Sequence, residues 1–408
     1  MKQRILVAAA SLVLAALILL LLPLDPPPPN LSSQPTLSPD TGTNPTATIP
    51  STVPQQPGVV RFYSCQADIL EGLLELSEEY TALTGVEVEV ITADAAGCQT
   101  TLQRLLESEM PPTVFCIHSQ SQLVAWKDSL LDLKDTALAA ALCNESLGLR
   151  LEGKLLAVPT AVEGYGLLAN SEILGAVLSR SEISDFSSLS MWVKILKDNS
   201  IKTFPTAKFS VQDAWHLLMS EDLDRTREFI DLYLANCIQT GDAMTLFAGG
   251  KTAFYLGGTW SYDDLAAMAD GNFDLRNLDI LPNYCEDAMQ YICSAAWGIH
   301  GNAQPQDIDA TLAFMAWLVT ADGGPAPIDR LQTLAPFRDA AWYGNQLQKK
   351  MRGYMLSEAA TLQWDGGGIG TDPLLMALMA YQENRSDENW YALCQVVGTM
   401  RTQYGYAS

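Results

Sequence analysis

Val59-Val60-Arg61-Phe62-Tyr63, Val86-Glu87-Val88-Glu89-Val90-Ile91 and Pro112-Thr113-Val114-Phe115-Cys116-Ile117 are three short runs of β character separated by two stretches of helical spacing. In the first stretch, Ile69 to Thr81, Leu70, Leu73, Leu74 and Leu76 lie between acidic residues, and Gly85 stands just past the end, where helices commonly stop. The second stretch runs from Thr100 to Ser108, and a further helix, Gln122 to Leu131, follows the third strand. Strand, helix, strand, helix, strand predicts a parallel, doubly wound sheet, since parallel neighbours need a crossover between them. Ligands of such sheets bind beyond the carboxyl ends of the strands. Those ends are Ser64-Cys65-Gln66, Thr92-Ala93-Asp94 and His118-Ser119-Gln120.

Downstream the chain is richer in helix. Asp213 to Met219, Leu223 to Asn236, Ile308 to Thr320, Gly344 to Leu356 and Pro373 to Glu383 have helical character, with strands expected at Thr252 to Leu256 and Leu278 to Pro282. Upstream, Lys2, Gln3 and Arg4 precede an unbroken apolar run from Ile5 to Leu24, about the length that spans a bilayer. The basic residues favour an N-terminus left in the cytoplasm with the remainder outside. Residues 1–24 are therefore expected to be a signal anchor, or a signal peptide if cleaved. Residues 25–58 contain Pro26-Pro27-Pro28-Pro29 and a Ser/Thr/Pro/Asn mixture that cannot bury a core, so a stalk is expected there.

Composition narrows the function. The 408 residues carry a formal net charge of -23, which repels phosphate backbones and argues against nucleic-acid binding. Eight Cys include no CxxC and no zinc spacing with the three His, and the acidic residues form no EF-hand loop. Their even number in an exported chain allows one or more disulfides, or buried thiols. Cys65 and His118 invite a nucleophile–base reading, but no oxyanion-hole or nucleophile-elbow signature surrounds Cys65, and a packed His with a buried thiol is expected instead. Gly366-Gly367-Gly368 lacks the Lys-Ser/Thr of a phosphate loop. No cofactor and no enzymatic activity are expected.

Four ordered segments carry a family resemblance. They are Glu152-Gly153-Lys154 through Pro159, Glu163 and Tyr165 to Asn170; Phe247 to Trp260, with Gly249-Gly250-Lys251-Thr252-Ala253 and Gly257-Gly258-Thr259-Trp260; Cys293-Ser294-Ala295-Ala296-Trp297-Gly298-Ile299; and Phe314 to Thr320 followed by Leu334-Ala335-Pro336-Phe337-Arg338. In this order they resemble the extracellular solute-binding proteins of ABC-type sugar importers, the family that includes maltose-binding protein. Thr259 stands where the family pattern has Pro, Ser64-Cys65-Gln66 departs from its usual strand end, and Thr361 to Ser408 matches loosely.

The resemblance implies a two-lobed α/β fold of the periplasmic-binding-protein type (type II). Residues 59–162 and 297–321 would form one lobe, and 163–296 and 322–408 the other. It also implies a carbohydrate, an oligosaccharide above all, bound in the cleft and passed by hinge closure to an ABC permease. The receptor would be a monomer held by its N-terminal helix on the outer face of the cytoplasmic membrane. A polyamine, peptide or oxyanion ligand, a membrane-tethered sensor and a hydrolase are the alternatives. Trp260 and Trp297 are the expected sugar-stacking residues, because an indole packs on the C–H face of a pyranose. Glu163 offers a carboxylate to sugar hydroxyls, with Tyr165 beside it. Gln66, Asp94, Ser119 and Gln120 at strand ends, and Arg338, complete the candidate set.

Overall fold

A computed structural model of the chain describes residues 58–406, apart from 95, 178–181, 207, 239–240, 270–272, 342–343, 357–359 and 367–371. The proposed anchor, most of the proposed stalk and the Gly367–Gly368 pair lie outside the described residues. Among these, no helix is long and apolar enough to cross a membrane.

The first elements are β1 (Val60–Ser64), α1 (Leu70–Thr84), β2 (Val88–Thr92), α2 (Cys98–Leu106), β3 (Val114–Ile117), α3 (Gln120–Trp126) and α4 (Ala137–Ala141). Strands β4 (Leu149–Leu151) and β5 (Lys154–Asn170) follow, then α5 (Ser171–Val177), α6 (Phe186–Asp198), α7 (Val211–Leu218), α8 (Leu223–Ala235) and α9 (Ala243–Ala248). The remainder is β6 (Phe254–Gly258), α10 (Tyr262–Met268), β7 (Leu278–Leu281), β8 (Met289–Ile299), α11 (Pro305–Val319), α12 (Gln346–Met355), β9 (Ala360–Trp364), α13 (Asp372–Glu383) and α14 (Asp387–Tyr404). Local sequence explains many of the boundaries. α1 ends on Gly85 in the left-handed region (φ 76°). Asp185, Ser210 and Asn345 each form a capping box at the starts of α6, α7 and α12.

The sheet has nine strands with a spine in the order β2-β1-β3-β8-β5-β4, and β6, β7 and β9 pair onto the long strands. β1 is parallel to β2 and β3, as the opening alternation predicts. The expected all-parallel sheet is corrected beyond β3: β8 runs antiparallel to both β3 and β5, so the sheet is mixed. The reason is topological. β8 enters from the opposite end of the molecule and slots between two strands that run the other way. β5 is 17 residues long, up to about 55 Å at the rise of an extended strand.

Its length lets β5 thread two pairs of cores. Near its start, Leu155 and Val158 join Phe62, Val114, Trp297 and Phe314 on one face. Leu156 and Ala157 join Tyr63, Phe115, Leu123 and Trp364 on the other. Near its end, Tyr165, Leu167 and Ala169 enter a core with Trp192, Trp215, Phe229 and Phe254. Leu168 enters another with Phe247, Ile280, Tyr291 and Met351. Near the end of β5 the faces alternate with the two-residue period of a strand, whereas near its start the register with β4 shifts between Leu149 and Arg150 and that alternation is interrupted. A disulfide joins Cys65, just past β1, to Cys98, the first residue of α2.

Candidate ligand-binding site

Between its two pairs of cores β5 passes through Pro159–Gly164, where its register with β8 shifts at Pro159/Ala161 and again at Ala161/Val162. Glu163 follows and pairs with Ile292 of β8. Its half-buried carboxyl accepts a hydrogen bond from the Thr259 hydroxyl, which in turn accepts the Gly164 amide at 3.1 Å. Burial pushes the Glu163 pKa up, and the Thr259 bond opposes that shift. A proline at position 259 could make neither bond, so the departure from the family pattern ties the end of β6 to the middle of β5.

The next residue, Trp260, is 37% exposed. Its ring lies nearly parallel to that of Tyr165, with centroids 6.0 Å apart and 12° between planes. Tyr165 is fully buried, and its hydroxyl donates to Asp213 Oδ1 at 2.9 Å. The other oxygen, Oδ2, accepts from the Ser210 amide at 3.0 Å and from its hydroxyl at 2.6 Å. One turn along α7 the ring of His216 sits 4.8 Å from Tyr165 and 6.0 Å from Trp260. His216 is buried, its ring nitrogens have no hydrogen-bond partner among the described residues, and burial lowers its pKa to about 3. On β8, exposed Ser294 presents its carbonyl 3.4 Å from His118 Nδ1, which brings the end of β3 beside the same stretch.

Chemically this is a partly exposed aromatic surface near a half-buried carboxyl. It can cover the apolar face of a ring and accept bonds from that ring's hydroxyls. A nucleophilic role for Cys65 is ruled out by its disulfide with Cys98. Among the described residues, no three His, Cys, Asp or Glu side chains are grouped to hold a metal.

The structure brings Glu163, Tyr165 and Trp260 together and separates other candidates from them. Trp297 is completely buried, with its ring edge-on to Phe62 at 5.1 Å, and the core leaves it no face for a ligand. Gln120 spends both ends of its amide as a brace: Nε2 donates to the Gly405 carbonyl and Oε1 accepts from Trp364 Nε1, each at 2.9 Å. Ser119 caps α3 through the Gln122 amide. Asp94 accepts the Gly97 amide at 2.6 Å just before α2. Gln66 accepts a weak bond from the Cys116 thiol at 3.4 Å. Exposed Arg338 lies with Ala141 and Arg352, its amide bonded to the Ala141 carbonyl and its own carbonyl to the Arg352 guanidinium. A cavity of about 260 Å³ lined by Ala169, Trp192, Asp279, Leu281, Lys350 and Tyr354 lies at the far end of β5, away from Glu163.

Asp213, His216 and Ser294 are the polar residues of this region that the sequence did not single out as ligand contacts. For Asp213 half of the signal was present: Ser210 three residues earlier marks a helix start, but nothing local points to Tyr165.

A sequence profile of bacterial extracellular solute-binding proteins matches residues 75–351. The chain belongs to that family. Solved structures agree in fold. The bacterial solute receptor AcbH, reported with an exclusive preference for β-D-galactopyranose, superposes with a TM-score of 0.66 at 13% identity, covering 86% of this chain and 100% of that one. A family 1 extracellular solute-binding protein from Bifidobacterium longum subsp. infantis gives 0.63 at 15% identity, over 84% and 99%. The sugar-binding protein MalE of Xanthomonas citri gives 0.61 at 14%, over 86% and 100%. Curated proteins give no match to the sequence. Family and fold are those of binding proteins, with an extracytoplasmic place of work.

Proposed function

We propose that the protein is the receptor of an ABC importer and holds a carbohydrate, an oligosaccharide above all, in a cleft between two lobes. The lobes are residues 59–162 with 297–321, and 163–296 with 322–408. The observation that carries this reading is Trp260, more than a third exposed while its ring stacks on Tyr165, directly after Thr259, whose hydroxyl bonds the carboxyl of Glu163. Sugar ligands named for AcbH and MalE support it by analogy of fold. Trp260 packs on a pyranose face, and Glu163 accepts from hydroxyls. β5 and β8 act as connecting strands about which the lobes close. Closure lets the ligand touch both lobes, so binding shifts the population toward the closed form. That form docks as a monomer on the permease, while residues 1–24 tether the receptor and 25–58 give it reach.

The test is a thermal-shift screen of the chain from Val59 onward against mono- and oligosaccharides, amino acids, peptides, polyamines and oxyanions. A ligand at 100 times its Kd stabilises by about 2.7 kcal/mol. Shifts confined to one sugar class support the reading. A shift with polyamine, peptide or oxyanion alone keeps the family and replaces the ligand.

A further inference from the structure

We propose that Asp213 is a positioning residue for ligand recognition: by holding the Tyr165 hydroxyl it keeps Tyr165 flat beneath Trp260 and so sets the angle at which Trp260 meets its ligand. This rests on the reading of Trp260 given above, and it adds a residue that makes no contact with ligand itself.

The geometry assigns the role through three links. The first is the division of labour within one carboxylate. Oδ2 is occupied by the Ser210 amide and hydroxyl, which fix Asp213 at the start of α7, and Oδ1 is left for Tyr165 at 2.9 Å. A capping residue needs only one of its oxygens for the helix. The second oxygen here reaches a strand 48 residues away in sequence. The second link is Tyr165 itself. It is rooted in β5 opposite Gly258 of β6, so its ring lies under the turn that carries Trp260. Core packing confines the buried ring, and the bond from its hydroxyl to Asp213 fixes the tilt that packing alone leaves. The third link is the stack. Trp260 is more than a third exposed, and its indole leans on Tyr165 and on the His216 edge. The indole also lies directly against Gly258, whose position has no room for a side chain because the Trp260 ring fills it. Trp260 therefore takes its orientation from Tyr165, and Tyr165 from Asp213.

Removing the Tyr165 hydroxyl deletes the bond and leaves the α7 cap and the ring in place. The experiment is 19F NMR of the chain from Val59 onward labelled with 5-fluorotryptophan. The Trp260 line among the nine tryptophans is assigned by Trp260→Phe. In Tyr165→Phe the Trp260 line shifts and broadens while the remaining lines stay put. Asp213→Ala does the same. Ser210→Ala weakens the cap and lowers the melting temperature, and, because the Ser210 amide still holds Oδ2, it moves the Trp260 line less than Asp213→Ala does. Affinity is then measured by calorimetry with galactose, maltose and raffinose as probes. For whichever binds, Tyr165→Phe raises Kd by about three- to tenfold, the scale of one hydrogen bond. An unmoved Trp260 line in Tyr165→Phe overturns the proposal, whatever the sugars do. If the line moves but Trp260→Ala binds the sugars as the parent does, the link from Asp213 to the Trp260 ring is real, but its role in ligand recognition falls together with the reading of Trp260. The two failures are thus separable.

Discussion

The indole of Trp260 stacks on Tyr165 and stays more than a third exposed, whereas that of Trp297 is enclosed by Phe62 and its neighbours. Truncating the two should therefore have opposite consequences. Trp260→Ala is expected to weaken carbohydrate binding by about 1–3 kcal/mol with little change in the urea midpoint. Trp297→Ala is expected to cost about 3–5 kcal/mol of folding stability, since it empties a space in a packed core. Urea unfolding beside calorimetry measures both, and a Trp297→Ala chain as stable as the parent would contradict the packing described. In the sequence these two tryptophans looked alike, each near glycines in a motif-like run. What separates them is Phe62, more than two hundred residues from Trp297, and no local pattern carries that information. Glu163 and Tyr165 were picked out because they stand together in the Glu-Gly-Tyr-Gly run that follows Pro159 in the segment resembling the family. Gln66, Asp94, Ser119 and Gln120 were picked by position at strand ends, but short polar residues there are also what caps the following helix, and that use prevails for Ser119.

At the scale of elements, the end of β1 and the start of α2, with α1 and β2 between them in sequence, are joined by the Cys65–Cys98 bridge, which closes 33 residues of sequence separation. The Cys98 carbonyl also accepts the Tyr63 hydroxyl at 2.7 Å. Replacing both cysteines by serine should lower stability by about 3–4 kcal/mol, the loop-entropy value for a bridge of this span. Guanidinium unfolding of parent and variant measures the loss. Equal stabilities would mean that the bridge does not constrain the unfolded chain. An even cysteine count announced that pairing was possible and could not say which two, because pairing depends on where strand ends meet. The parallel unit β1-β2-β3 was readable from alternating strand and helix periods, as were α8 and α11 to within a few residues. β9 was not, being a five-residue strand with no alternation of its own. α14 carries buried Trp390, Leu393, Val397 and Met400 at helical spacing, a period present in the sequence yet obscured by polar residues around it.

On the scale of the whole molecule, β5 and β8 run through both pairs of cores, so any movement between the two halves must flex these strands near the register shifts at Pro159–Val162. Small-angle scattering of the chain from Val59 onward should show a smaller radius of gyration at saturating ligand. An unchanged radius under those conditions would sink hinge closure. The sheet order itself could not be read from sequence, because β3 pairs with β8 across residues 118–288. That insertion bears on biosynthesis. As the chain leaves the ribosome, β3 has only β1 beside it, and its second neighbour does not exist until β8 has been made. The brace from Gln120 waits longer still, for Gly405 near the end of translation. Pairings so distant in sequence form slowly, since loop closure precedes any gain from contact. A nascent chain of this design cannot complete its sheet until β8 has been made, nor its Gln120 brace until Gly405 has, so its final pairings are left to the nearly full-length chain.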